Sequence, residues 1–328
     1  MKALVTGGGG FLGQAIVRQL VARGDAVTVL SRGAYPELAP LGVMLRRGSV
    51  TSMPDVTDAA RGCDVVFHVA AKAGIWGMRD DYEASNVTGT ANVLAACRAL
   101  GIHRLVHTSS PSVVFGSAPL EGVDESVPYA THFLADYPRT KAAAERLVLA
   151  ANDASLATVA LRPHLIWGPG DVHLVPRIVA RAKAGKLRLV GDGRNVVDSV
   201  YVHNAAAAHL LAADRCVPGS AVAGKVYFIS NGEPLPIGEL IGKILAAAGL
   251  PPLTRRIPVA VATAAGALLE GITPRAAKEP LMTRFLAAQL STAHWFDISA
   301  ARRDLAYEPA ITIDEGMKRL ADWLRTIS

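Results

Sequence analysis

Apolar positions along the chain fall into two alternating rhythms. Ala3-Leu4-Val5-Thr6 is a continuous apolar run that ends in glycines, and residues 26–30, 64–71, 104–108 and 157–161 repeat the type. Runs of this length read as strands buried on both faces of a parallel sheet. Between them apolar residues recur at helical spacing. The first such stretch is Phe11–Ala22, stopped by Arg23-Gly24-Asp25, followed by 86–100 and 137–151. In the last, Pro138 falls in the opening turn, where a missing N–H leaves no bond unmade. The alternation predicts an α/β chain with a doubly wound parallel sheet and right-handed crossovers.

The first strand runs into Thr6-Gly7-Gly8-Gly9-Gly10-Phe11-Leu12-Gly13, with glycines at 7, 10 and 13 between strand and helix. In that context Gly7 permits a tight turn, Gly10 lets backbone approach a pyrophosphate, and Gly13 lets helix pack on strand. The helix N-terminus adds N–H groups and a positive dipole, so the expected ligand is a dinucleotide on a Rossmann-type sheet. Leu30-Ser31-Arg32 ends the second strand, where an NAD site usually has an acid for the ribose hydroxyl. Arg32 can hold a 2′-phosphate bidentately beside Ser31 as a neutral donor, which predicts NADP(H).

Tyr137-Pro138-Arg139-Thr140-Lys141 is the second chemical signal. Four residues apart on a helix, Tyr137 and Lys141 share a face. A cation there is expected to pull a phenol pKa of about 10 toward neutrality, so that it exchanges a proton with a carbonyl or alcohol. A hydride-exchanging cofactor and such a phenol together indicate an oxidoreductase.

Bulk composition narrows the setting. The 328 residues are 51% hydrophobic and 19% charged, with a net charge of +6 but no block of like charges beyond pairs such as Arg46-Arg47 and Arg255-Arg256. That pattern argues against nucleic acid as partner. Cys63, Cys97 and Cys216 are isolated and odd in number, which fits neither a disulfide framework nor a metal site and implies a reducing compartment. A strand at residues 3–6 leaves no room for a signal peptide, and 257–269 is too short to span a bilayer. The expectation is a cytoplasmic protein with at most peripheral membrane contact. After Arg162-Pro163 the alternation weakens: 174–184 reads as helix, 200–202 and 225–230 as short strands, and 251–290 as a proline-punctuated apolar helical stretch. The predicted division is a dinucleotide-binding domain of 1–163 and 196–230. The remaining 164–195 and 231–328 would form a smaller, mostly helical C-terminal substrate lobe.

With these motifs stand Asn86-Val87-x-Gly89-Thr90-x-Asn92-Val93, Thr108-Ser109-Ser110, Leu161-Arg162-Pro163-x-x-x-Trp167-Gly168-Pro169-Gly170 and Gly191-Asp192-Gly193. Over nearly its whole length the chain resembles an extended short-chain dehydrogenase/reductase. Lys72-Ala73-Gly74-Ile75-Trp76-Gly77, 108–114 and His294-Trp295-Phe296-Asp297 are similar to the 3β-hydroxysteroid dehydrogenase-like branch. The resemblance implies that Ser110, with Ser112 as a stand-in, joins Tyr137 and Lys141 as catalytic residues, with Asn86 propping them from an adjacent helix. It further implies cofactor contacts from Phe11, Leu12, Ala70, Ala71, Lys72, Lys141 and Pro163, and a homodimer built on the Asn86 and Tyr137 helices. Ser49 departs from the family's usual acid beside the adenine. His68, His107 and His164 read as packing residues.

Three substrate classes compete. Sugar-nucleotide members carry an arginine where Val197 precedes Asp198, and dehydratases carry acids where this chain has Ser110-Pro111-Ser112. Both departures disfavour a sugar nucleotide, and retention of the serine, tyrosine and lysine disfavours a non-catalytic NADP(H)-binding regulator. The apolar 259–269 suits a hydrophobic ketone, although packing of an alanine-rich helix accounts for it equally well. Within the branch the likeness implies reduction of a 2-alkylated long-chain β-keto acid in long-chain olefin biosynthesis, in assembly with pathway enzymes, with a 3β-hydroxysterol dehydrogenase as the alternative. Arg79, Arg162 and Arg177 are available to a substrate carboxylate, and the sequence does not choose among them.

Overall fold

The structure is a computed structural model, in which residues 1–327 are described. Its centre is a seven-stranded parallel sheet whose neighbours run β12 (Lys225–Ile229), β7 (Ala157–Pro163), β5 (Arg104–Thr108), β4 (Val65–His68), β1 (Lys2–Thr6), β2 (Ala26–Ser31) and β3 (Met44–Arg47). From β1 the order proceeds outward in both directions, so β1 and β4 flank the switch point where doubly wound sheets open a ligand crevice at their carboxyl ends. The Rossmann-type fold expected from the alternation is therefore present.

Helices α1 (Phe11–Ala22) and α7 (Val202–Arg215) pack together against one face. On the other face lie α2 (Met53–Ala60), α4 (Gly89–Leu100) and α5 (Asp136–Ala150). Each face buries its own apolar cluster, centred on Val5, Ile16, Val106 and Ala208 for the first and on Leu4, Val66, Val93 and Leu105 for the second.

A four-stranded sheet stands beyond the crevice in the order β13 (Leu235–Pro236), β10 (Val196–Val197), β15 (His294–Phe296) and β6 (Leu120–Val123). Strand β6 comes from the first 163 residues yet pairs with β15, and α11 (Ser299–Leu305), although late in the chain, packs on β12 and α7. Two short pairs complete the strands: β8 (Ile166–Trp167) with β11 (Val200–Tyr201), and β9 (Leu189–Val190) with β14 (Arg256–Ile257). Helices α6 (Leu174–Lys183), α8 (Ile237–Ala247) and α12 (Ile313–Thr326) enclose a third core around Trp167, Val175, Ile244 and Leu320. The remaining helices are α3 (Arg79–Tyr82), α9 (Val259–Ile272) and α10 (Arg284–Ser291).

Several boundaries differ from the sequence reading for identifiable reasons. The apolar run 64–71 yields a strand only over Val65–His68, because its partner β1 ends at Thr6 and leaves 69–71 without a ladder. Val202 opens α7 rather than closing a strand. The helix expected over 86–100 is entered through a wide π turn, Glu83–Thr88, that carries Asn86. Such turns insert a residue into a helix and re-aim its side chains.

Candidate active site

The glycine loop is packed too closely for side chains at two of its three expected positions. Gly7 has φ +69°, and a Cβ there would meet the Ala70 backbone at 2.8 Å; one on Gly13 would meet the Gly7 carbonyl at 2.2 Å. Helix α1 begins with no capping side chain and no acid in its first turn, so its leading N–H groups, from Phe11 onward, face the crevice without a protein anion. Ser31 at the end of β2 accepts from the Gly9 N–H at 3.1 Å, and Arg32 beyond it is exposed. Arg47 donates to the Arg32 carbonyl at 3.2 Å, which brings a second arginine to this edge. The Tyr35 ring lies over Gly9, where a Cβ would come within 2.1 Å of it. Sequence reasoning passed over Tyr35 and treated Arg47 only as part of a charge pair. The strand carrying Arg47 is solvent-exposed at every position and has no apolar period to betray it.

Ser49 donates its backbone N–H to Asp55 at 2.9 Å, so an acid does stand at that turn although the chain supplies it six residues later. Across the crevice, Ala70 donates its N–H to Thr6 Oγ1 at 3.3 Å. Ala71 and Lys72 follow, and Pro163 closes β7 in register with Ile229.

The reacting end is built where β5 runs out against α5. Lys141 is 2% exposed. Its ammonium donates to the Thr108 carbonyl at 2.5 Å and lies 3.3 Å from His107 Nε2. Burial pulls its pKa from an ordinary 10.5 to about 8, opposed by the carboxylate of Glu145 one turn further along α5. Glu145 is itself buried in a bidentate pair with Arg162, at 2.6 and 3.0 Å, and accepts from the Tyr129 hydroxyl at 2.7 Å. Arg162 is thereby removed from the arginines open to a substrate. Arg177 pairs with Glu279, and Arg79 is exposed.

Tyr137 is partly exposed and its pKa is raised by burial, with the Ser110 hydroxyl drawing it back down. The Ser110 hydroxyl is the hydrogen-bond partner that lowers the Tyr137 pKa, while the Lys141 ammonium, on the same helix, is anchored at the end of β5. Ser110 Oγ lies 2.9 Å from Ser112 Oγ and accepts from the Ser112 N–H at 3.2 Å, fixing the turn after β5.

Asn86 is buried and its side chain makes three direct hydrogen bonds. Its Oδ1 accepts from the Lys72 N–H at 2.7 Å, while Nδ2 donates to the Lys72 carbonyl at 3.2 Å and to Thr140 Oγ1 at 3.0 Å. It thus ties the loop after β4 to the residue preceding Lys141.

Buried histidines line the floor. Thr90 donates to the Asn86 carbonyl at 2.6 Å, so its oxygen accepts from His68 Nε2, and His68 Nδ1 accepts from Thr6. Burial and the nearby Lys141 ammonium hold His68 neutral, at a pKa of about 3, and push His107 well below its usual value. An apolar wall of Ile75, Phe115, Leu134, Ala135, Phe285 and Ala288 stands beside the Ser110 turn. Trp76 donates to the Pro274 carbonyl at 3.2 Å across the top.

A phosphate-binding loop at the switch point, facing a buried lysine, a phenol and a serine at the next strand ends, defines the short-chain dehydrogenase/reductase class. Comparison with known proteins narrows it. Residues 4–259 match the 3-beta hydroxysteroid dehydrogenase/isomerase family, and the chain belongs to that family. It is 56% identical over 324 residues, 98% of either chain, to the 2-alkyl-3-oxoalkanoate reductase of Stenotrophomonas maltophilia. It is 34% identical to the human sterol-4-alpha-carboxylate 3-dehydrogenase, decarboxylating, over 99% of this chain and 88% of that one. Among solved structures it is similar to the Thermus thermophilus UDP-glucose 4-epimerase complex with NAD, with TM-score 0.76, 28% identity and full coverage of both chains. The protein is accordingly an oxidoreductase, and its likeness to reductases supports a ketoreductase role.

Proposed function

We propose that the protein is an NADPH-dependent reductase that converts a 2-alkyl-3-oxoalkanoate to the 2-alkyl-3-hydroxyalkanoate, as in the making of long-chain olefins. The observation that carries this reading is the convergence of Ser110, Tyr137 and Lys141 at the ends of β5 and α5 beneath an apolar wall, in a chain so similar to a protein named for that substrate. Arg32, with Arg47 beside it and no acid at the end of β2, favours a 2′-phosphate.

When bound, the coenzyme would supply the hydride. Ser110 holds the ketone oxygen and stabilises the charge that develops on it. Tyr137 donates the proton to that oxygen. Lys141, anchored on the Thr108 carbonyl, keeps a positive charge behind the phenol so that the resulting phenolate is tolerated. Asn86 keeps the loop after β4 in register with α5.

The test is NADPH oxidation with a detergent-dispersed long-chain 2-alkyl-3-oxoalkanoate, set against NADP⁺ reduction with a 3β-hydroxysterol. Turnover of the keto acid that drops at least 100-fold in Tyr137→Phe, about the weight of one general acid, supports the reading. Activity with the sterol alone, or a Tyr137→Phe variant keeping more than about a tenth of its turnover, overturns it.

A further inference from the structure

Helix α9 is built inside out. Of its fourteen residues only Ala262 and Gly266 are buried, one turn apart on a single face. A Cβ on Gly266 would meet the backbone of Thr283 and Arg284 at 2.6 and 2.7 Å, so the helix lies nearly in backbone contact with the start of α10. Val261, Leu268 and Ile272 point the other way, at 54, 65 and 68% exposed, and Leu281 beyond the helix is 60% exposed. Val259, three residues before Ala262, and the half-buried Leu269, three after Gly266, lie beside the buried face. A surface helix ordinarily turns its large apolar residues inward.

Charge around this face is sorted as well. No charged residue occurs from Ile257 to Leu269. The two acids of the region are drawn inward, Glu270 onto Arg284 and Glu279 onto Arg177. Arg255 and Arg256 at one end, and Arg275 and Lys278 at the other, are exposed.

We propose that this face, with Leu281, docks flat on an anionic lipid surface. An apolar strip flanked by outward cations, with the acids withdrawn, is complementary to a bilayer interface bearing negative headgroups. A second copy of the chain fits poorly. Across a two-fold axis the apolar strips would meet, but the arginine pairs would be brought into one interface without acids to answer them. Among the described residues no helix is long and apolar enough to cross a membrane, so α9 lies in the interface plane.

The face is continuous with the roof of the active site. Arg275 sits 4.0 Å above the Trp76 ring and Pro274 accepts from Trp76 Nε1, and both follow α9 directly. Under the proposed function, docking sets the apolar cleft against the source of a two-chain substrate. That consequence rests on the proposed function; the docking itself does not.

Vesicle flotation tests it. Full-length protein is mixed with phosphatidylcholine vesicles, or with vesicles containing about one-third phosphatidylglycerol, at low salt and at about 0.5 M salt. The expected result is binding at least about tenfold stronger to the anionic vesicles, weakened by salt. Val261→Asp/Leu268→Asp and Arg255→Glu/Arg256→Glu should each reduce that binding at least about tenfold, with unchanged circular dichroism and unchanged turnover of detergent-dispersed substrate. Equal binding to neutral and anionic vesicles, no binding to either, or binding that survives both double variants overturns the proposal. So does a concentration-dependent dimer that Leu268→Asp dissolves, which would give the face to a second copy. Because turnover is read in detergent, failure of docking leaves the proposed reaction standing, and failure of the reaction leaves the vesicle result standing.

Discussion

Replacing Lys141 with methionine should make the protein more stable while abolishing its activity. The folded chain holds this ammonium at 2% exposure, where burial lowers its pKa from 10.5 to about 8. That gap corresponds to about 3 kcal/mol by which folding is disfavoured at neutral pH, since each pKa unit is ~1.4 kcal/mol. Methionine fills similar volume without charge. It forfeits the hydrogen bond to the Thr108 carbonyl, a loss of about 1 kcal/mol or somewhat more. The net expectation is a gain of about 1–2 kcal/mol in unfolding free energy at pH 7, measured by urea denaturation.

The sign of its pH dependence follows from linkage. The folded pKa lies below the unfolded one, so between about 8 and 10.5 the unfolded chain binds the extra proton, and stability rises with pH across that window. The penalty is complete below about pH 8 and absent above 10.5. The advantage of Lys141→Met over wild type should therefore shrink from pH 7 to pH 10.5, while turnover stays at least 100-fold down at every pH. A variant less stable than wild type at pH 7, or an advantage that does not change with pH, would refute the reasoning.

Three further outcomes are expected. Glu145→Gln leaves the Arg162 guanidinium buried and unpaired, which should destabilise by about 3–5 kcal/mol in denaturant titrations. It should also move the alkaline limb of the pH–rate profile to lower pH, because the carboxylate raises the Lys141 pKa; a limb that stays in place breaks that link. Arg32→Ala should raise the Michaelis constant for NADPH several-fold with little change for NADH, and a NADPH value within about twofold of wild type would remove Arg32 from phosphate recognition. Asn86→Ala removes three hydrogen bonds in a buried site and should lower stability by about 1–3 kcal/mol with a larger loss in kcat than in KM. An effect on stability alone would restrict Asn86 to the scaffold.

Local rules determined much of this protein. Continuous apolar runs became β1, β2, β5 and β7 because a strand buried on both faces needs apolar residues throughout. Glycines at 7 and 13 are dictated by a turn with positive φ and by helix–strand contact, both short-range demands, and the Tyr137–Lys141 face follows from helix period alone. What those rules do not carry is distance across the fold. That Lys141 hands its ammonium to Thr108, that Ser110 meets Tyr137, and that Asn86 clasps Lys72 and Thr140 all depend on β4, β5 and α5 converging at one end of the sheet. The pairing of Arg162 with Glu145 is likewise a contact between strand and helix seventeen residues apart. For α9 the composition left two readings open, a wall for a hydrophobic ketone or plain packing of an alanine-rich helix. Only packing decided which side chains face outward: Ala262 and Gly266 let the helix press against α10, and Val261, Leu268 and Ile272 are left exposed.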